Sequence, residues 1–188
     1  MIAGRVLPRD PGPPRAVVDA LAAFPTGIVS DCLNRMGAMD GRVRSLLPGA
    51  RFCGPAVTVE EVEGGNLMSH AALELVEAGD VLVIDAKGVT TRACWGGVQT
   101  LAAQKRGAAG VVAFGSVRDV EDLAALGLPV FALGACAGGP LKGWGGNVNA
   151  PVACGGVAVR GGDLVLGDDD GVVVVPQELA AELPALCA

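Results

Sequence analysis

The chain has 188 residues, 51% of them hydrophobic and 18% charged, which allows one domain with a substantial core and argues against disorder. Fourteen basic and twenty acidic side chains leave a net charge of -6, which argues against a nucleic-acid-binding surface, since that needs clustered Lys and Arg. No run approaches the ~20 apolar residues of a membrane span, no signal-peptide core is evident at the N-terminus, and six cysteines without a CxxC pair read as free, mostly buried thiols of a cytoplasmic protein.

Residues 1–14 hold Pro8, Pro11, Pro13 and Pro14 and little pattern. They are expected to form a loosely attached, flexible arm ahead of a single domain over residues 15–188. Val29, Cys32, Leu33 and Met36 recur at helical spacing, and Gly37 stops that helix. Residues 56–62 read as a strand. Asn66 is placed to cap a helix whose apolar stripe is Met68, Ala71, Ala72 and Leu75, ending at Gly79. Residues 81–85 predict a buried strand, 93–106 a helix with Val98, Leu101 and Ala102 inward, 111–114 a strand, 120–126 a short helix, and 130–133 a strand. This βαβαβ order predicts parallel strands with right-handed crossovers. Beyond Gly134, glycine-rich loops separate short β runs at 151–159 and 164–166. Asp168, Asp169, Asp170 and Gly171 then turn into a strand at 172–175, and residues 177–186 form a helical tail. With 29 glycines and 12 prolines, many tight turns are expected between short elements.

The stretch from Trp95 to Asp122 is the most informative. Trp95-Gly96-Gly97 opens one helix, and Arg118-Asp119 stands between a strand and the next helix. In an open α/β sheet, ligands gather outside the carboxyl ends of parallel strands. An adjacent carboxylate and fixed cation there suit a metal ion and an anionic substrate. Asp119 and Asp122 also stand as in a capping box and suit the helix dipole. That reading leaves Arg118, a cation beside a positive helix end, without a partner; an anion bound by it would supply one. Gly96 and Gly97 let the backbone approach a ligand closely, and the free amides at that end can hold a carboxylate. A plain strand-to-helix turn would use the same glycines.

Gly97, a gap of twenty residues, Arg118-Asp119, two residues and Asp122 resemble the signature of the RraA-like proteins, which include the 4-hydroxy-4-methyl-2-oxoglutarate / 4-carboxy-4-hydroxy-2-oxoadipate aldolases. The segments 24–33, 54–59, 79–85, 129–132, 148–152 and 167–176 are similar to family segments as well, so the resemblance spans roughly residues 20 to 180.

The resemblance implies a layered α/β/β/α sandwich like the swivelling phosphohistidine domain, assembled as homotrimers or homohexamers with sites at subunit boundaries. It implies a class II pyruvate aldolase, a divalent-metal-dependent lyase that cleaves a small oxo-acid to pyruvate and supports oxaloacetate decarboxylation. Asp119, with Asp122, would hold Mg²⁺ or Mn²⁺ largely through water, and Arg118 would bind the keto oxygen. Gly96, Gly97 and the backbone amides of Val98 and Gln99 would hold the substrate carboxylate. Two departures stand out: aldolase members can carry an acidic residue where this chain has Gly97, and they can use one from a neighbour's C-terminal extension, whereas this chain stops at Ala188. The family also contains RraA itself, a regulator that binds and inhibits the endoribonuclease RNase E, so a non-catalytic binding role is the alternative.

The remaining candidates read more plainly. His70, the only histidine, shares a polar helix face with Glu74 and Glu77. The triplet Asp168–Asp170 lacks the Glu that a calcium loop needs at position twelve and reads as a hairpin turn. Of the lysines Lys87, Lys105 and Lys142, Lys87 follows a strand end, near enough to the site to be a charge neighbour rather than a Schiff-base nucleophile. The glycine-rich stretch from Gly134 to Gly146, with Trp144, is the candidate contact or lid segment, or else a surface loop.

Overall fold

A computed structural model describes residues 4–143 and 145–188. Trp144, singled out above, lies outside the described residues. In chain order the elements are β1 (Arg5–Val6), α1 (Arg15–Ala22), α2 (Thr26–Cys32), β2 (Arg44–Ser45), β3 (Phe52–Glu60), α3 (Leu67–Leu73), β4 (Val81–Asp85), β5 (Ala93–Trp95), α4 (Gly97–Lys105), β6 (Gly110–Val117), α5 (Val120–Leu126), β7 (Val130–Ala135), β8 (Asn147–Val148), β9 (Val152–Cys154), β10 (Val157–Val159), β11 (Leu164–Asp168), β12 (Gly171–Val175) and α6 (Leu183–Cys187). No helix of the described residues is long and apolar enough to cross a membrane.

The chain forms a mixed α/β sheet covered by helices. Strands β3, β4, β6 and β7 run parallel in that order. Strand β3 serves two partners: Ala56–Glu60 pair with β4, and Phe52–Pro55 pair antiparallel with β11, which continues into the β11–β12 hairpin. The side-chain alternation of strands then sorts the core into three. Leu82 and Ile84 of β4 face α3, α4 and α5, with Met68, Ala103 and Leu123. Val81 and Val83 face the other way, onto Val165, Val172 and Val174 of the hairpin and Cys154 of β9. The far face of the hairpin, Leu164, Leu166, Val173 and Val175, packs on α1, α2 and α6 through Leu21, Val29 and Leu183. The order helix, strand, strand, helix is the layered sandwich the resemblance implied.

Several expectations shift. Residues 93–95 are strand β5, not the start of the helix, because Ala93 and Trp95 pair with Ser116 and Val117 at the end of β6. Helix α4 also turns differently: Val98 and Leu101 are exposed, while Gln99, Thr100 and Ala103 are buried. The apolar pattern misled because Thr100 Oγ1 and the Gln99 side-chain oxygen find hydrogen-bond partners inside. The tail splits into a 3-10 turn, Gln177–Leu179, and α6, with Pro184 in the first turn of α6. The N-terminal segment expected to hang loosely is tied at three points among its described residues. Strand β1 pairs with β8, Arg9 donates to the buried Asp80 at 2.7 Å, and the Gln177 side-chain amide donates to the Pro11 carbonyl at 2.7 Å. All six cysteines are free thiols, and burial pushes those of Cys94 and Cys154 up to about 12.

Candidate active site

The parallel pairing of β5 with β6 brings the two halves of the sequence motif together. The Arg118 amide donates to the Trp95 carbonyl at 3.0 Å, so Gly96-Gly97 and Arg118-Asp119 leave adjacent strands side by side. Trp95 is buried, and its indole N–H donates to Thr100 Oγ1 at 2.7 Å, which in turn donates to the Gly96 carbonyl at 3.0 Å. These bonds fix the N-terminus of α4 against the sheet.

Asp119 occupies the N-cap position of α5 but does not cap it: no side-chain cap bond forms, and its backbone is left-handed at φ 59°, ψ 43°. A non-glycine residue there is held at a cost of about 1 kcal/mol. The twist aims the carboxylate away from its own helix and onto α4, where Oδ2 accepts from the Gly97 amide at 3.0 Å. Arg118 Nε stands 3.6 Å from the same oxygen. Capping alone therefore does not explain Asp119. Gly96 is required by proximity, since a Cβ on it would lie 2.6 Å from Asp119 Oδ2 and 3.2 Å from Arg118 Cγ.

A cavity of about 420 Å³ opens at this point, lined by Trp95, Gly96, Val98, Gln99, Arg118 and Asp119 from the motif. The amides of Val98 and Gln99 lie in the first turn of α4, where backbone N–H groups have no intrahelical acceptor. Gly97 and Asp122 are not among the lining residues. The Gly97 amide is engaged by Asp119, and a Cβ at Gly97 would lie 3.1 Å from the Asp122 carboxylate. Asp122 thus packs behind the α4 N-terminus instead of facing the cavity beside Asp119. No group of three His, Cys, Asp or Glu that could hold a metal ion occurs among the described residues. The donor set is one carboxylate with one oxygen engaged. That fits a hard cation that keeps most of its water, as Mg²⁺ does, and does not fit a cation that demands a full protein cage.

Three polar side chains outside the motif also line the cavity, Asn66, His70 and Lys142, with Ala93, Gly139 and Pro140 beside them. Asn66 stands at the N-cap of α3, yet its side chain does not cap. That task falls to the buried Glu61, whose carboxylate accepts from the amides of Met68 and Ser69 at 3.3 and 2.6 Å and from Ser69 Oγ at 2.7 Å. Burial pushes the Glu61 pKa above the usual carboxylate range despite these bonds. Asn66 is thereby free to accept from Lys142 Nζ at 2.7 Å and to reach Gln99 and His70. Lys142 is positioned by its loop: the Leu141 amide donates to the Gly64 carbonyl at 2.7 Å. His70, expected on a solvated helix face, borders the cavity. Burial and then the Lys142 ammonium push its pKa below the ordinary histidine value, favouring neutral imidazole. Lys87 takes no part. It pairs with Asp85 at 2.6 Å and Glu60 at 3.0 Å; burial opposes its charge, but those bonds outweigh it and raise its pKa.

The RraA-like model, described as Aldolase/RraA, matches residues 17–174. The chain belongs to this family. A protein of Halalkalibacterium halodurans, provisionally named a 4-hydroxy-4-methyl-2-oxoglutarate aldolase, is 39% identical over 166 residues, covering 87% of this chain and 79% of that one. Two solved structures share the fold. RraAS2 of Streptomyces coelicolor, described as an unusual member of the RNase ES inhibitor RraA family, superposes with a TM-score of 0.83 at 31% identity, covering 93% of this chain and 91% of that one. The RNA-processing inhibitor RraA of Thermus thermophilis gives 0.75 at 33% identity, covering 82% and 93%.

Proposed function

We propose that the chain is a divalent-metal-dependent lyase that cleaves a 4-hydroxy-2-oxo-acid of the 4-hydroxy-4-methyl-2-oxoglutarate type to pyruvate, and that it decarboxylates oxaloacetate. The observation that carries this reading is the left-handed Asp119, turned off its own helix to stand with Arg118 beside the free amides of α4. Asp119, through one oxygen and water, would hold the cation, which when bound supplies Lewis-acid polarisation of the keto oxygen. The amides of Val98 and Gln99 bind the carboxylate next to the keto group, helped by the helix dipole. Arg118 donates to the keto oxygen, where negative charge accumulates as the bond between C3 and C4 breaks. The C4 hydroxyl loses its proton to water, its oxygen becomes the carbonyl of one product, and the enolate left behind takes a proton at C3 to give pyruvate. Decarboxylation of oxaloacetate uses the same enolate, with carbon dioxide as the leaving fragment.

Exposed Val98 lines this site, exposed Val120 stands with Arg118 and Asp119 at its edge, and exposed Leu141 lies between the lining residues Pro140 and Lys142. They support assembly as a homotrimer or homohexamer with the site at the subunit boundary. A coupled assay for pyruvate tests the activity: release from 4-hydroxy-4-methyl-2-oxoglutarate should require Mg²⁺ or Mn²⁺ and vanish in Asp119→Asn. Equal release after chelation overturns the reading. The alternative is a regulator that binds RNase E without catalysis. It is favoured by the likeness to the two inhibitor structures and by the acidic charge of the chain. Pyruvate release by the purified protein separates the two.

A further inference from the structure

The third core, under α1, α2 and α6, carries two cysteines that the oxo-acid site does not use. Cys32 is the last residue of α2 and Cys187 the last of α6, and both pack, partly buried, against the edge of that core. Val29 and Leu33 from the α2 side and Leu183 from α6 fill the same layer, so the two helices meet and bring their C-terminal ends together. The Cys32 thiol donates to the Leu186 carbonyl at 3.3 Å, the carbonyl of the peptide that leads into Cys187. The two thiols also hydrogen-bond each other; burial first, and then this bond, push Cys187 up to about 11. The other four cysteines are placed otherwise. Cys94 and Cys154 are buried on opposite faces of the sheet. The Cys53 thiol donates to the Val18 carbonyl at 3.6 Å, and the Cys136 thiol to the nearby Gly138 carbonyl at 3.9 Å. After β12 the chain buries only Ala180 and Leu183, so α6 is held to the domain by little apolar surface.

We propose that Cys32 and Cys187 are a redox-sensitive pair that closes to a disulfide and staples the C-terminal helix α6 to α2. A disulfide needs side chains that approach closely and point at each other, as these hydrogen-bonded thiols do. The co-reactant is a small-molecule disulfide. The Cys32 thiolate attacks one of its sulfurs, the small sulfur–sulfur bond breaks, and one small thiolate leaves and takes up a proton. The Cys187 thiol then gives its proton to water and attacks Cys32 Sγ, the bond from Cys32 to the second small sulfur breaks, and a second small thiol is released. Two protein thiols are oxidised, and one small disulfide is reduced to two thiols. Cys187 holds its proton too tightly to begin the exchange near neutral pH, so it suits the second step. The closed bond encloses most of the chain in one loop, and a crosslink restricts the unfolded chain more as its loop lengthens. The pair lies in the layer beyond the β11–β12 hairpin, away from α4 and Arg118, so the inference stands apart from the oxo-acid reading.

Oxidised glutathione at about pH 8, followed by trypsin digestion and mass spectrometry, tests the pair. Cleavage after Arg15, Arg35 and Arg160 isolates Cys32 in residues 16–35 and Cys187 in residues 161–188, each the only cysteine of its peptide. The wild type should yield these two peptides joined, lighter than their sum by two hydrogens, while still running as a single chain on a non-reducing gel. It should also melt about 5 °C or more above the reduced protein. Cys32→Ser and Cys187→Ser should each abolish the joined peptide and the rise in melting temperature, and leave the remaining thiol of the pair carrying glutathione. Peptides that stay unjoined in the wild type, whether reduced or each carrying glutathione, overturn the pair, as does a joined peptide found only in a crosslinked dimer. Joined peptides with no rise in melting temperature overturn the staple.

Discussion

Replacing Gly96 with alanine should disable the site while leaving the fold standing. The backbone at Gly96, φ -168° and ψ -171°, is extended and open to any residue, so the methyl acts through space. It would lie 2.6 Å from Asp119 Oδ2 and 3.2 Å from Arg118 Cγ, and both side chains must give way. The carboxylate has to retreat by roughly 1 Å to regain ordinary contact, and misplacement on that scale costs about 10²-fold in rate. Retreat also breaks the bond from the Gly97 amide, 3.0 Å long, a loss of about 0.5–1.5 kcal/mol. For a chain of this size that lowers the melting temperature by about 1–6 °C. The assay pairs a melt with Mg²⁺-dependent pyruvate release at saturating substrate. Wild-type turnover in a folded Gly96→Ala protein would refute the claim that this close approach sets the positions of Arg118 and Asp119.

Three further outcomes follow from the same geometry. Arg118→Lys keeps the charge but loses the planar fork, so turnover should fall by roughly 10²–10³-fold; steady-state kinetics showing an unchanged turnover number would remove Arg118 from the enolate-stabilising role. His70 is the only histidine, so its ring gives an isolated NMR titration. Its midpoint should lie below 6.5 because burial and Lys142 both disfavour the imidazolium, and Lys142→Met should move it upward; no movement would dissociate the two residues. Burial raises the pKa of Asp168, but bonds from Thr26 Oγ1 (2.6 Å), the Thr26 amide and the Asp170 amide outweigh it and hold the group below its ordinary value of 3.8. A lowered carboxylate pKa contributes stability above the unfolded value that is lost as pH falls through the folded one. Melting between about pH 5 and pH 3 should therefore fall more steeply in the wild type than in Asp168→Asn, and parallel profiles would deny Asp168 that share.

The parallel core was legible because each element carries its own punctuation. Residues 81–85 form an uninterrupted buried run between Asp80 and the Lys87-Gly88 turn, and 120–126 sit between Arg118-Asp119 and Gly127; the structure ends both elements there. The convergence of Gly96-Gly97 with Arg118-Asp119 followed from strands that neighbour in a parallel sheet. Where the pattern failed, tertiary context overrode it. Val98 and Leu101 looked like inward positions on α4, yet both are exposed and Gln99 is buried against Asn66 instead. Asn66 looked like a cap, but Glu61, from the end of a strand, took the cap and released it. The polar end of the cavity draws on residues 66, 70, 99 and 142, and no local spacing joins them. The one usable signal was scarcity: a lone histidine, and one of only three lysines, placed in a glycine-rich loop beyond a parallel strand.

The central claim is that Asp119 and a divalent cation complete an oxo-acid site with Arg118 and the α4 amides. Oxalate tests it most directly, because it is planar and dianionic like the pyruvate enolate, and mimics of that state bind more tightly than substrates. Titrated calorimetrically, oxalate should bind the wild type with Mg²⁺ present, and lose that affinity after chelation and in Asp119→Asn. Equal affinity under all three conditions would contradict the account.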